Sequence, residues 1–268
     1  MSETEAPKVL VEREDWVGII TINRPEARNV IDPEVAAGIE AALDDLDADP
    51  KVRAVVLTGA GEKAFCAGMD LRAFAKVGPK GGFFTEKGGF AGITSRKLVK
   101  PLVVAVNGAA FGGGLEILLA ADCAIATSGA KFALPEVKVG MHAGAGGVIR
   151  LAKRIPRSVA LEMVMSGEPI SAQRALELGL VNEVVAPDQV LPQALRLARS
   201  FASASPTSVL VSRELMLRSL EASEEDAWDL NKAAARIVLR CGDAKEGPKA
   251  FAEKREPVWA DAGPVDLG

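Results

Sequence analysis

The chain has no tyrosine, one histidine and three cysteines among 268 residues. Each shortage removes a mechanism. A lone histidine, His142, cannot build a histidine-rich metal site. A serine–histidine–acid triad would depend on His142, and no G-x-S-x-G elbow is present to serve it. Cys66, Cys123 and Cys241 are widely separated and odd in number. They show neither metal-ligand spacing nor a disulfide framework, so we expect a reducing, cytoplasmic setting. With tyrosine missing, proton transfer falls to Asp, Glu, Lys or Cys.

Long hydrophobic runs are also lacking. None reaches the roughly 18 residues of a membrane-crossing helix. The first fifteen residues, MSETEAPKVLVERED, are polar and acidic and hold no apolar core of a secretory signal. Basic charge is not in excess: 32 Lys and Arg stand against 36 Asp and Glu, and the net charge is −4. No comb of Arg or Lys is visible, which argues against nucleic acid as a partner. Hydrophobic residues make up 49 % and charged residues 25 %. That is the balance of a globular chain, long enough for one large domain or a core with an appendage.

What is present alternates between strand and helix. Residues 8–12 and 16–22 are β-branched runs around a polar turn and predict a β-hairpin. Asp32-Pro33 predicts a helix to about Ala48, with Asp32 as N-cap. VRAVVLTG (52–59) and PLVVAVNG (101–108) read as buried strands, and 122–128 and 131–134 as short ones. Residues 60–74 form a loop entering a helix near Asp70. Residues 78–92 hold six glycines around Phe83, Phe84 and Phe90 and are expected to be a mobile loop. Strand–helix alternation to about residue 185 defines an α/β protein, and the pattern turns helical from about 187 to 254. ASASPTS (202–208) is the boundary, dividing residues 1–202 from 203–268. The tail ADAGPVDLG shows no core-forming pattern and is expected to fray.

Two strand–glycine–helix junctions stand out, FCAGMDL and VNGAAFGGGLE. Glycine allows close approach of backbone N–H groups, and a helix start adds free donors. Such junctions are either tight turns that fill space or, if they face each other, an oxyanion hole. Glu116 sits in an apolar run with no cation within four residues. A carboxylate buried there is costly and holds its proton. A second carboxylate, Glu136, follows Pro135. The glycine-rich lead-in at 142–151 lacks the P-loop lysine and the G-x-G-x-x-G order, so it is not read as a nucleotide site.

Taken together, NRPEARN, AFCAGMDL, KPLVVAVNGAAFGGGLE, FALPEVKVG, GAGG, SGEPISAQRALELGLVNEVV and AFAEKREPVW resemble the crotonase superfamily, the enoyl-CoA hydratase/isomerase family, in family order. The resemblance spans about residues 8–259. It implies a crotonase-like spiral of ββα turns, with a helical C-terminal region (203–268) that drives assembly into a homotrimer or a dimer of trimers. It implies an oxyanion hole from the N–H groups of Met69 and Gly113, gripping the thioester carbonyl of a coenzyme A substrate. Losing one such donor typically costs about 3 kcal/mol of transition-state stabilisation. Glu116 and Glu136 match the two glutamates of the hydratases. By resemblance, Glu116 acts as base toward water and Glu136 supplies the α-carbon proton.

Ala27, Arg28, Ala67, Gly68, Asp70, Leu71, Gly112 and Pro135 match substrate and CoA-binding positions, and Phe251 and Lys254 match residues that reach CoA from the last helix. Arg28 either meets a phosphate or lies on the surface. CoA belongs to the substrate, and no metal or redox cofactor is implied. Ala143 stands where many hydratases carry proline. His142 beside it is expected to pack rather than line the pocket, and Cys66 to be an apolar filler.

GGFAGIT, AFGGGLE and FALPEVKVG look most similar to the carnitinyl-CoA dehydratase branch. The substrate of that branch carries a trimethylammonium group, which aromatic or acidic residues recognise. The expected activity is hydration of 2-enoyl-CoA, making the chain a hydro-lyase. The alternatives are the carnitine-type dehydratase, an enoyl-CoA isomerase, and a CoA-thioester- or RNA-binding protein without turnover.

Overall fold

A computed structural model describes residues 6–260, 262 and 265–267. The strands are Val9–Glu14 (β1), Val17–Ile22 (β2), Ala54–Gly59 (β3), Ala64–Cys66 (β4), Phe84–Thr85 (β5), Gly89–Phe90 (β6), Leu102–Val106 (β7), Ala109–Phe111 (β8), Cys123–Thr127 (β9), Lys131–Ala133 (β10), Ile170–Ser171 (β11) and Glu183–Val185 (β12). The helices are Pro33–Ala48 (α1), Leu71–Val77 (α2), Gly113–Ala120 (α3), Gly147–Arg154 (α4), Arg157–Ser166 (α5), Ala172–Glu177 (α6), Val190–Ala202 (α7), Pro206–Ser219 (α8), Glu224–Arg240 (α9) and Asp243–Glu253 (α10).

One sheet runs β1-β2-β3-β7-β9-β12, parallel from β2 onward, with β1 antiparallel on its edge. A second runs β11-β10-β8-β4. The chain winds between them. Each turn lays a strand in the first sheet, a short strand in the second, and then a helical segment. The turns are β3-β4-α2, then β7-β8-α3, then β9-β10 and the 3-10 turn Pro135–Val139. This is the ββα spiral the resemblance implied.

The inner strands are apolar throughout because both faces are covered. On β3, Val55 and Leu57 face the main core, while Ala54 and Val56 face Val190, Ala194, Leu195 and Ala198 of α7. Helix α1 starts as its sequence predicts: the Asp32 carboxylate accepts the Val35 N–H at 2.9 Å, and Pro33 occupies the first turn. Its buried face, Val35, Ile39, Leu43 and Leu46, keeps helical spacing.

Three local expectations are corrected. Strand β4 lies in the stretch expected to be loop, and β8 in a junction for which the sequence predicts no strand. Each is three residues long, too short to carry a period of its own, and exists only through its parallel partner. The 78–92 segment is pinned rather than loose: Phe83 and Phe90 are buried, and β5 and β6 pair as a small hairpin. Of its three rings only Phe84 is exposed. The tail is also held: Val265 and Leu267 pack with Val211, Leu215, Leu230 and Ala234 of α8 and α9. Two apolar residues in nine give no pattern, yet they cover the seam between two amphipathic helices. Residues 1–5, 261, 263, 264 and 268 lie outside the described residues.

Candidate active site

The β4–α2 and β8–α3 junctions meet. A Cβ on Gly68 would stand 3.2 Å from the Gly113 nitrogen. The NRPEARN loop is stitched along the first junction. Ala67 donates to the Arg28 carbonyl at 3.1 Å, Ile31 to Gly68 at 2.8 Å, and Asp70 to Ile31 at 2.8 Å. The buried Asn29 amide anchors the loop from beneath, donating to Ala60 and Ala64 carbonyls. The parallel bridge between Ile31 and Met69 thus uses the Gly68 carbonyl and the Asp70 N–H, and leaves the Met69 N–H out. Gly113 opens α3, so its N–H has no acceptor within the helix. Two backbone donors are therefore left over at adjoining junctions.

Glu116 lies in the first turn of α3 and is 4 % exposed. Its Oε1 accepts the Gly147 N–H at 2.9 Å. A Cβ at Gly147 would fall 3.1 Å from that oxygen and 2.7 Å from the Ala143 methyl, so the loop can approach only as glycine. Burial pushes the Glu116 carboxyl up to about 7, helped by the charge of Glu136 and opposed by the Gly147 and Ala145 N–H groups and by Arg150. Glu136 stands in the 3-10 turn opened by Pro135. Its Oε2 is buried and unpartnered among the described residues. Its Oε1 would be 3.1 Å from a Cβ on Gly112, which holds a φ of +54°. Burial raises this carboxyl as well, opposed by its own N–H and by His142. The charge of Glu136 acts on Glu116, so the two carboxyls are interacting titratable groups.

His142 does not pack. It is exposed on the loop before α4, with its charge felt at Glu136. Its ring lies over Gly144, where a Cβ would sit 2.8 Å from His142 Nε2. Cys66 is buried, and burial pushes its thiol up to about 12, as an inert filler requires.

The remaining sequence-derived positions divide into two groups. Ala27, Arg28, Ala67, Gly68, Asp70 and Leu71 gather along the stitched edge. Arg28 is exposed with a φ of +56°, and Leu71 is exposed beside it. The Asp70 carboxylate already caps α2 through Arg72 and Ala73 N–H groups and pairs with Arg24 at 3.2 Å, so its role is to shape the edge. Phe251 on α10 and Lys254, the residue that caps its C-terminus, lie apart; α10 packs on α9, and Phe251 is 86 % exposed. Two further residues stand at the site. The Phe90 ring lies against Gly113, where a Cβ would overlap it, and Phe84 meets Phe90 edge-on at 5.5 Å. Arg150, on α4, acts on Glu116. The sequence offers Phe90, with Phe83 and Phe84, as an aromatic available to a trimethylammonium group, and gives no signal for Arg150.

Among the described residues no group of three or more His, Cys, Asp or Glu is gathered as metal ligands, and no helix is long and apolar enough to cross a membrane. A ββα spiral that brings a half-buried glutamate within electrostatic reach of a buried one has the equipment of an acid–base enzyme. Comparison with known proteins gives the lineage. Residues 12–262 match the family described as Enoyl-CoA hydratase/isomerase. A carnitinyl-CoA dehydratase from Salmonella arizonae is 42 % identical over 246 residues, covering 90 % of this chain and 93 % of that protein. The crystal structure of an enoyl-CoA hydratase from Mycobacterium tuberculosis superposes with a TM-score of 0.89 at 41 % identity, covering 96 % of this chain and all of that one (100 %). A carnitinyl-CoA hydratase from Mycobacterium avium superposes at 0.77 with 44 % identity and the same coverage, 96 % and 100 %. The chain belongs to the enoyl-CoA hydratase/isomerase family and is an enzyme of the hydro-lyase type.

Proposed function

We propose that the chain adds water across the double bond of a 2-enoyl-CoA thioester and, in reverse, dehydrates a 3-hydroxyacyl-CoA. One observation carries this reading: the charge of Glu136 reaches the buried Glu116, burial raises both carboxyls, and the two are carried by different turns of the spiral. Addition at the β-carbon develops an enolate at the thioester. The Met69 and Gly113 N–H groups are the donors for that oxygen. Glu116 takes a proton from water, and Glu136 delivers one to the α-carbon. A Glu116 carboxyl near 7 suits a group that must exchange protons at neutral pH. The CoA moiety runs along residues 27–28 and 67–71. No cofactor beyond the CoA of the substrate enters the reaction.

The test is loss of 2-enoyl thioester absorbance with purified protein on crotonyl-CoA and longer 2-enoyl-CoAs. Absence of turnover on all of them, with thioesters still bound, overturns the hydratase reading.

A second reading is favoured by two observations. Relatives 42 % and 44 % identical bear carnitinyl-CoA names. Phe84, exposed and edge-on to the Phe90 ring that lies against Gly113, offers an aromatic face of the kind that attracts a trimethylammonium group. Turnover of crotonobetainyl-CoA in preference to plain enoyl-CoAs selects this branch. We further propose residues 1–202 as the spiral core and 203–268 as the oligomerisation region of a trimer or dimer of trimers, with Phe251 and Lys254 reaching a neighbouring CoA site. Light scattering of the purified protein decides the assembly.

A further inference from the structure

Glu116 is buried and Glu136 half-buried, and burial raises both carboxyls. Their charged surroundings do differ. Helix α3 brings Glu116. The β4 strand packed beneath it contributes only Cys66, which is neutral. The 3-10 turn contributes Glu136 itself, and the following loop contributes His142 on the Glu136 side. The remaining charge comes from α4. Arg150 Nη1 is buried without a hydrogen-bond partner among the described residues. Its guanidinium folds back over Gly146, where φ is +117° and any Cβ would overlap Nη1. The adjacent residue, Gly147, donates the N–H that holds Glu116 Oε1. Consecutive Cα atoms are about 3.8 Å apart. The guanidinium and the Glu116 carboxyl thus converge on two neighbouring side-chain-free residues.

We propose that Arg150 is a positioning residue whose buried charge offsets the burial of Glu116 and keeps that carboxyl able to exchange its proton near neutrality. The catalytic consequence rests on the hydratase reading; the electrostatic claim does not. An orphaned buried guanidinium nitrogen is costly unless a negative charge lies within reach. Glu116 supplies that charge, and Arg150 in turn opposes the effect of burial at Glu116.

The direct test is a carbon-13 NMR titration of the Glu116 carboxyl in the wild type, Arg150→Met and Arg150→Lys. Removing the charge should move the Glu116 midpoint upward by roughly half a pH unit or more, and lysine should restore most of it. Coincident midpoints in the wild type and Arg150→Met overturn the proposal. If the methionine variant fails to fold, the wild type still decides. Its Arg150 guanidinium resonances should inflect at the Glu116 midpoint, and a flat response overturns the proposal. In kinetics, the acid limb of kcat/KM should shift the same way in Arg150→Met, with kcat falling roughly threefold more at pH 6 than at pH 8 and KM little changed. An unshifted limb in an active variant counts against it. A wild type that turns over no 2-enoyl-CoA sinks the hydratase reading instead and leaves the NMR titration to judge Arg150.

Discussion

Glu116 and Gly147 are 31 residues apart in the chain and joined by a 2.9 Å hydrogen bond from backbone N–H to carboxyl Oε1. That bond fixes one oxygen of the carboxyl and leaves the other for chemistry. It also explains how an acidic side chain is tolerated in the apolar run of α3. The α4 start supplies free donors there, and the loop before it is bare enough to come close.

Replacing Glu116 or Glu136 by glutamine keeps the shape and removes the proton-transfer group. Either change should lower kcat on the preferred thioester by about 10²- to 10⁴-fold with the fold intact. The measurement is the absorbance assay with circular dichroism alongside. A variant retaining most of its activity removes that residue from the mechanism.

Glu116 also makes stability depend on pH. Its folded pKa, about 7, lies above the ordinary 4.5. The folded state therefore binds more protons than the unfolded state between those values. The destabilisation starts as pH rises past 4.5 and is complete above about 7, on the order of 3 kcal/mol. Urea unfolding from pH 5 to 8 should show the wild type losing stability relative to Glu116→Gln. Parallel curves for the two proteins would contradict the burial assigned to this carboxyl.

Gly112 and Gly179 separate strain from function. Both have positive φ, +54° and +75°. A Cβ at 112 meets Glu136, whereas one at 179 meets open space. Alanine at either position should cost about 1–2 kcal/mol of stability. Only Gly112→Ala should also lower kcat, by about 10²-fold, through a displaced Glu136. Equal activity losses in the two variants would mean that the effect is general.

Leu267 is 6 % exposed against α8 and α9. Leu267→Ala should destabilise the protein by about 2–3 kcal/mol. A melting temperature within error of the wild type would show that the tail contributes nothing.

Much of this protein is readable residue by residue. The first hairpin, α1 with its Asp32 cap, the inner strands and the family motifs all depend on neighbours in sequence, where apolar period and turn chemistry are visible. Glycine-rich junctions and two misplaced-looking glutamates identified where chemistry could lie. Tertiary structure alone decided the rest. Strands β4 and β8 form because parallel partners supply their hydrogen bonds. Phe90 reaches Gly113 and Leu267 reaches α8 through packing that no local pattern encodes. His142 lies exposed on the loop before α4, which its neighbours in sequence do not reveal. The proton affinities of Glu116 and Glu136 arise from desolvation and from charges brought in by other turns of the spiral. Local sequence sets which groups are available, and distant chain segments set their ionisation, because the field at a buried carboxyl is a sum over space.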